Sequence, residues 1–254
     1  MANLKQSAPD WCFFKGNIPA EHYYGRLKEI GYAGVEMVEP ERWAAAKAAG
    51  LEIVNMSGPG MQDGLNRVEN HEKLLAEIRE AIATAAQNGI GHVIIFSGNR
   101  NGQDDEEGKA NCVTAIKQLV PDAEKAGVTL VFEMLNMHDH PDYQADRSAF
   151  GFDIIKAVGS PSVKVLYDIY HMYRMGDDVV KDITENLDII AHIHVAGSPK
   201  RDFPGADQQI DYPAIIKAIK AAGDQGYWGQ EWLPGEDVLD ELAKAYEVFD
   251  SSAA

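Results

Sequence analysis

The chain alternates between longer segments with helical hydrophobic spacing and short apolar runs rich in Val, Ile and Phe. Many of the junctions contain a glycine. Glycine readily adopts the left-handed backbone that closes the last turn of a helix, so these glycines indicate helix ends. Six of them each precede a predicted strand: Gly31, Gly50, Gly89, Gly127, Gly159 and Gly223. Helices that repeatedly lead into strands are typical of βα units, which build a parallel sheet.

Eight short segments fit strands: Trp11–Phe14, Gly34–Val38, Glu52–Met56, His92–Phe96, Thr129–Met134, Lys164–Asp168, His192–Ala196 and Tyr227–Trp232. The segments between them are helical in pattern, as in Asn66–Asn88. Since a (β/α)8 barrel takes about 250 residues, we predict a single TIM barrel domain over residues 1–254. A doubly wound sheet is the alternative, but the turn after the first predicted strand, KGNIPAEH, lacks the glycine-rich phosphate-binding sequence.

The long polar connections follow predicted strands. They read SGNRNGQDDEEG after the fourth, NMHDHPDYQAD after the fifth and GSPKRDFPGADQQ after the seventh. Active sites of such barrels lie at the carboxyl ends of the strands. The sequence therefore places long loops and candidate chemistry at the same end.

Four residues that bind divalent metals well end or interrupt the last four predicted strands: Glu133, Asp168, His194 and Glu231. They are separated by 35, 26 and 37 residues, each about one strand–helix unit, so the side chains should lie at one level of the barrel. Buried carboxylates are costly unless they are paired or bind a metal. Three carboxylates and an imidazole suit Mg²⁺, Mn²⁺ or Co²⁺ better than a structural zinc ion, although Zn²⁺ is possible.

The amino-acid composition argues against some classes of binding partner. The formal net charge is −17, which disfavours nucleic acid and anionic membrane surfaces. No run approaches the roughly 18 apolar residues of a membrane span, and the N-terminal sequence lacks a signal-peptide core. With two cysteines, Cys12 and Cys112, expected as reduced core thiols, these features predict a cytoplasmic protein.

Further residues near these strand ends are candidates for binding a substrate. His171 lies three residues beyond Asp168, and Lys200 and Arg201 lie on the loop after the seventh strand, where a cation can hold a substrate carboxylate. His192 points to the same side of its strand as His194 and is interpreted as a deeper core or supporting residue. For His138 and His140, a solvated loop is the preferred interpretation.

Long motifs resemble those of hydroxypyruvate isomerases, within the wider group of xylose isomerase-like barrels that includes ketose 3-epimerases. They are GYAGVEMVEP, IIFSGNRNG, EMLNMHDHPDY, VLYDIYHMYR, HIHVAGSPKRDFPG and IDYP, and they cover nearly the whole chain. The resemblance implies a metal-dependent enzyme, an aldose–ketose type isomerase (an intramolecular oxidoreductase) that acts on a small sugar or hydroxy-keto acid.

Residue by residue, the resemblance implies that Glu133 and Glu231 are both metal ligands and the acid/base pair, with Asp168 as a third ligand. It implies substrate binding by His171, Asn136, Arg201 and Lys200. The position of His194 is often glutamine in the isomerases and histidine in the epimerases. PKRDFP also departs from the isomerases' PGRHEP.

The residues alone leave several functions open. A metal that chelates adjacent carbonyl and hydroxyl oxygens favours removal of the proton on the carbon between them. Return of that proton to the neighbouring carbon gives isomerisation, for example of hydroxypyruvate to tartronate semialdehyde, and return to the opposite face gives ketose 3-epimerisation. A DNA-repair endonuclease would need more histidine ligands and a basic groove, and a non-catalytic sugar-binding barrel is a distant alternative. A homo-oligomer, dimer or tetramer, is possible.

Overall fold

The computed structural model describes residues 4–224 and 226–253. Nine parallel strands form one sheet, with helices between most of them. The strands are β1 (Lys5–Pro9), β2 (Gly34–Glu36), β3 (Glu52–Ile53), β4 (Asn55–Ser57), β5 (His92–Phe96), β6 (Thr129–Glu133), β7 (Val163–Asp168), β8 (Ile190–Val195) and β9 (Tyr227–Gln230).

The α-helices are α1 (Asp10–Phe13), α2 (Ala20–Ile30), α3 (Trp43–Ala48), α4 (Val68–Asn88), α5 (Asp105–Ala126), α6 (Ser148–Val158), α7 (Ile169–Arg174), α8 (Val179–Glu185), α9 (Tyr212–Ala221) and α10 (Val238–Ala253). Short 3-10 turns cover Pro40–Arg42 and Leu187–Ile189. Gly89 directly follows α4 and Gly127 directly follows α5, and both have a left-handed backbone that closes the last helical turn. In the described ranges, no helix combines the length and apolar character that crossing a membrane requires.

The sheet closes into a barrel through β3 and β4. They are separated only by Val54, whose N–H donates to the Val35 carbonyl and whose carbonyl accepts from the His92 N–H. Strand β3 pairs with β2 and β4 pairs with β5, so the two pieces occupy one position of the barrel. The predicted (β/α)8 barrel is thus confirmed, with its third strand interrupted.

The predicted first strand, Trp11–Phe14, is wrong. The first strand is β1, and Asp10–Phe13 form the short helix α1. Strand β1 escapes the hydrophobic pattern because its adjacent polar residues Gln6 and Ser7 are both buried, on opposite faces of the strand. Gln6 Oε1 accepts from Gln230, and Ser7 Oγ donates to Glu36. The apolar residues that follow β1 form α1 instead of a strand, and Trp11 among them lines the cavity at the mouth of the barrel.

The other seven predicted strands overlap strands of the barrel, with boundaries shifted by a few residues. A large buried core surrounds them and includes both cysteines, Cys12 and Cys112, which are free as predicted. The register pairs Phe96 with Glu133 and Asp168 with His194. Residues that end neighbouring strands therefore lie at one level.

Candidate active site

Four residues at the carboxyl ends of the last four strands meet at one point inside the barrel. Glu133 ends β6, Asp168 ends β7, His194 is the second-to-last residue of β8, and Glu231 directly follows β9. Each offers one ligand atom within 4.8 Å of the others, and all four are buried. The parallel register brings together the four residues that the sequence singled out.

The donor set fits a divalent ion. Nδ1 of His194 lies 2.9 Å from Glu231 Oε2 and 3.8 Å from Glu133 Oε1, yet it has no hydrogen-bond partner. A buried nitrogen without a partner, surrounded by carboxylate oxygens, is the arrangement that a metal ion satisfies. The three carboxylates and the Arg201 guanidinium beside them leave an excess of two negative charges, which one divalent ion offsets.

The ionisable groups of the cluster have strongly perturbed pKa values in the metal-free protein. Burial raises the pKa of Asp168 to about 7, against the opposing charge of Arg201. Burial also raises the pKa of Glu133. For Glu231 the charges of His194 and Arg201 outweigh burial and lower the pKa to about 2. For His194 the charges of Glu231 and Glu36 outweigh burial and raise the pKa well above its usual value.

These shifts predict that metal binding releases protons, because carboxylate and imidazole ligands must be deprotonated. Asp168, with a pKa of about 7, is mostly protonated at pH 6 and ionised at pH 8. Binding at pH 6 should therefore release a larger number of protons than binding at pH 8, so metal affinity rises with pH. Calorimetry in buffers of different ionisation enthalpy measures this number; equal release at both pH values would contradict the assignment.

His171 lines the cavity above the cluster. Its Nδ1 accepts from the Asn136 side-chain amide at 2.6 Å and the Asn136 backbone N–H at 3.3 Å. The opposite nitrogen, Nε2, is buried, lacks a hydrogen-bond partner and lies 3.4 Å from Asp168 Oδ2. Burial, and then the charge of Arg201, hold the pKa of His171 well below its usual value. The ring is thus a neutral donor, and Asn136 orients it.

Arg201 lies against the carboxylates as well as in the lining of the cavity. Its Nη2 is 2.6 Å from Glu231 Oε2 and 3.5 Å from Asp168 Oδ2. The guanidinium also lies 5.5 Å from the ring centres of both Trp11 and Tyr170. Arg201 has a φ of 55°, in a region that residues other than glycine rarely adopt, so the loop holds it at a conformational cost.

The remaining candidate residues differ in whether they line the cavity. Lys200 is exposed and lies outside the lining of the cavity. His138 is exposed, as expected for a solvated loop, but His140 is half-buried, lines the cavity and lies 5.4 Å from His171, ring centre to ring centre. The solvated-loop interpretation is therefore wrong for His140, whose position depends on how the loop folds back towards the cavity.

A cavity of about 630 Å³ opens above the cluster. Glu133, His171, Arg201 and Glu231 line its floor. Much of the wall is apolar and comes from α1, α3, strands β4 and β5, and the loops after β2, β4 and β6: Trp11, Met37, Val38, Pro40, Trp43, Met56, Met61, Ile94, Phe96 and Leu135. Cavities of roughly 300–1,000 Å³ are typical of small-molecule sites. The site is therefore built to hold a small molecule against the cluster.

Sequence reasoning missed two residues that contact the cluster. Trp11 donates from its indole N–H to Glu231 Oε1 at 2.9 Å, and it was assigned to a strand instead. Glu36 accepts from His194 Nε2 at 2.8 Å. The signal for Glu36 was present, since it is a carboxylate within the apolar run GVEMV, as Glu133 is within VTLVFEM.

Comparisons with known proteins agree with this architecture. The sequence profile of the xylose isomerase-like TIM barrel family matches residues 25–248. The chain belongs to this family. The resemblance found in the motifs is thereby confirmed at the level of the family.

Three individual proteins resemble the chain at sequence identities below 30%. The chain is 29% identical over 220 residues to a 2-oxo-tetronate isomerase of Cupriavidus necator, covering 80% of this chain and 83% of the relative. It is 29% identical over 133 residues to the hydroxypyruvate isomerase of Escherichia coli, covering 52% and 51%. The solved structure of an L-ribulose 3-epimerase shares the fold, with a TM-score of 0.82, 18% identity and coverage of 100% of this chain and 95% of that one.

Proposed function

We propose that this protein is a metal-dependent isomerase that acts through an enediolate on a hydroxy-keto acid, such as hydroxypyruvate or a longer 2-oxo acid. The observation that carries the proposal is the cluster of Glu133, Asp168, His194 and Glu231 at the floor of a cavity that also contains Arg201. The two isomerase relatives support the same class of reaction.

Glu133, Asp168, His194 and Glu231 would hold the divalent ion. When bound, the ion would lower the pKa of the substrate C–H between adjacent carbonyl and hydroxyl oxygens. Glu133 and Glu231 form the proposed acid/base pair, and the protein separates their pKa values: burial raises the pKa of Glu133, while that of Glu231 is about 2. Groups whose environments drive their pKa values apart suit opposite roles in proton transfer.

The proposed reaction moves one proton between carbons and one between oxygens. A glutamate removes a proton from the hydroxyl-bearing carbon, and the proton is returned to the neighbouring carbonyl carbon. The hydroxyl proton passes to the former carbonyl oxygen, so hydroxypyruvate becomes an aldehyde and a 2-oxo-tetronate becomes a 3-oxo acid. His171, whose Nε2 faces the site without a partner, donates a hydrogen bond to a substrate oxygen.

Arg201 is proposed to bind the substrate carboxylate. We expect Arg201→Lys to raise KM for 2-oxo acids by about 10- to 100-fold, because lysine keeps the charge but loses the planar pair of donors. KM for neutral ketoses should change less. Steady-state kinetics with both substrate types measure the difference, with Arg147→Lys as the control, since Arg147 is exposed on the loop before α6. Equal changes for acids and ketoses would contradict the carboxylate-binding role.

Ketose 3-epimerisation is the second candidate. Two observations favour it: the fourth member of the cluster is His194, and the cavity of about 630 Å³ is large for a three-carbon acid. The same glutamate pair would then return the proton to the opposite face of the same carbon.

Product analysis separates the two candidates. Metal-loaded protein is incubated with hydroxypyruvate, a 2-oxo-tetronate, erythrulose and several ketohexoses, and the products are identified by ¹³C NMR. An aldehyde from hydroxypyruvate or a ketose, or a 3-oxo acid from the 2-oxo-tetronate, supports the isomerase, and a C3 epimer of a ketose supports the second candidate. No conversion of any of these substrates would contradict both.

A further inference from the structure

Glu36, at the end of β2, is a buried carboxylate beside the metal-binding cluster. Four side chains donate to it. Ser7 Oγ donates to Oε1 at 2.6 Å, and Asn55 Nδ2 donates to Oε2 at 2.5 Å. The Nε2 atoms of His192 and His194 lie 3.0 and 2.8 Å from the same Oε2. Such a complete set of partners holds the carboxylate in one position.

The contact with Glu36 decides which nitrogen of His194 faces the cluster. Nε2 points to Glu36, whereas Nδ1 points to Glu231 and Glu133. An imidazole that binds a metal through one nitrogen carries its proton on the other. A carboxylate that accepts from Nε2–H therefore leaves the lone pair of Nδ1 directed at the ion.

The barrel leaves space for this pair at Gly229 on β9. A Cβ atom added at this position would overlap Glu36 Oε1 and lie 2.6 Å from His194 Cδ2. The φ of Gly229 lies outside the left-handed region, so the glycine is needed here for its lack of a side chain. The ring of His192 packs edge-on against that of His194, with centres 4.8 Å apart.

We propose that Glu36 is a positioning residue of the metal site: it fixes the His194 ring and keeps its Nε2 protonated, so that Nδ1 binds the ion. This inference rests on the proposed metal-dependent function. Glu36 itself touches neither the ion nor the substrate in this account. A competing arrangement, in which Glu36, His192 and His194 hold an ion of their own, makes a different prediction about stoichiometry.

Binding of Mn²⁺ alone tests the proposal. The free ion is followed by electron paramagnetic resonance for the unaltered protein, for Glu36→Gln and for the control His92→Gln. His92 lies in the same barrel interior and packs against the ring of His192, with centres 6.1 Å apart. We expect one Mn²⁺ per chain, an affinity lowered about 10- to 100-fold in Glu36→Gln, and little change in the control.

Any other result of the Mn²⁺-binding experiment contradicts part of the account. Equal Mn²⁺ affinity of Glu36→Gln and the unaltered protein, both shown to be folded by circular dichroism, would overturn the positioning role while leaving the metal-dependent function intact. A lower melting temperature with unchanged affinity would mean a structural role only. Two ions per chain would make Glu36 a ligand and overturn the proposal. No Mn²⁺ binding by the unaltered protein would overturn the proposed function as well.

A second measurement needs no variant and so does not depend on Glu36→Gln folding. Long-range ¹H–¹⁵N spectra of histidine-labelled, Mg²⁺-saturated protein report the tautomer of each ring. We expect His194 to carry its proton on Nε2, with Nδ1 unprotonated. A proton on Nδ1 would overturn the proposal.

Discussion

Glu133→Gln and Glu231→Gln are each expected to lower turnover by about 10²- to 10⁴-fold, the usual contribution of a positioned acid or base. Glutamine keeps the shape of glutamate but cannot accept and return a proton. The two carboxylates are well suited to this chemistry because both are buried beside His194 and line the cavity. Turnover is measured at saturating metal, since each variant also loses one charge at the metal site.

Glu41→Gln is the matched control for this pair. Glu41 is exposed in the 3-10 turn after β2 and lies outside both the lining of the cavity and the metal-binding cluster. We expect near-normal turnover from it. Near-normal turnover in Glu133→Gln or Glu231→Gln, with the metal bound, would contradict the acid/base assignment.

Removal of the metal is expected to lower turnover by about 10³-fold or more. A bound ion contributes several kcal/mol to stabilising negative charge in the transition state, and each 1.4 kcal/mol corresponds to about a tenfold change in rate. Activity is measured after dialysis against a chelator and again after addition of Mg²⁺, Mn²⁺, Co²⁺ or Zn²⁺. Restoration by at least one of these ions is the expected result.

Metal removal should also lower the melting temperature. An ion present at about 100 times its Kd stabilises the folded state by about 2.7 kcal/mol. For a domain of this size that corresponds to a shift of about 5–10 °C. The shift should be larger at pH 8 than at pH 6, because ionised Asp168 leaves the metal-free cluster with more uncompensated negative charge. Full activity and an unchanged melting temperature in metal-free protein would contradict the metal-dependent mechanism.

The barrel was predictable because its strands are short, buried and separated by regular helix-ending glycines. The exception, β1, shows the limit of hydrophobic patterning. Its side chains Gln6 and Ser7 are polar yet fully buried. Ser7 hydrogen-bonds to Glu36 inside the barrel, whereas Gln6, on the opposite face of the strand, hydrogen-bonds to Gln230 and to the Tyr246 carbonyl of α10. Periodicity detects apolar faces, so a strand with buried polar residues on both faces escapes it.

The four members of the cluster were predictable from spacing alone, because parallel strands place their carboxyl ends at one level. Contacts between distant segments were not. The hydrogen bond of Trp11 to Glu231 joins the two ends of the chain, and His140 approaches His171 only through the fold of its loop. Lys200 and Arg201 are adjacent in sequence, but only Arg201 faces the cluster.

Solvent isotope exchange tests the central claim most directly. Metal-loaded protein is incubated in D₂O with hydroxypyruvate, a 2-oxo-tetronate, erythrulose and ketohexoses, and deuterium uptake is followed by NMR. The account predicts metal-dependent label on a carbon beside the carbonyl of at least one substrate. For the isomerase this is the terminal carbon of hydroxypyruvate or of a ketose, or C3 of the 2-oxo-tetronate; for the epimerase it is C3 of a ketose. Absence of metal-dependent label from every substrate would contradict enediolate chemistry at this site.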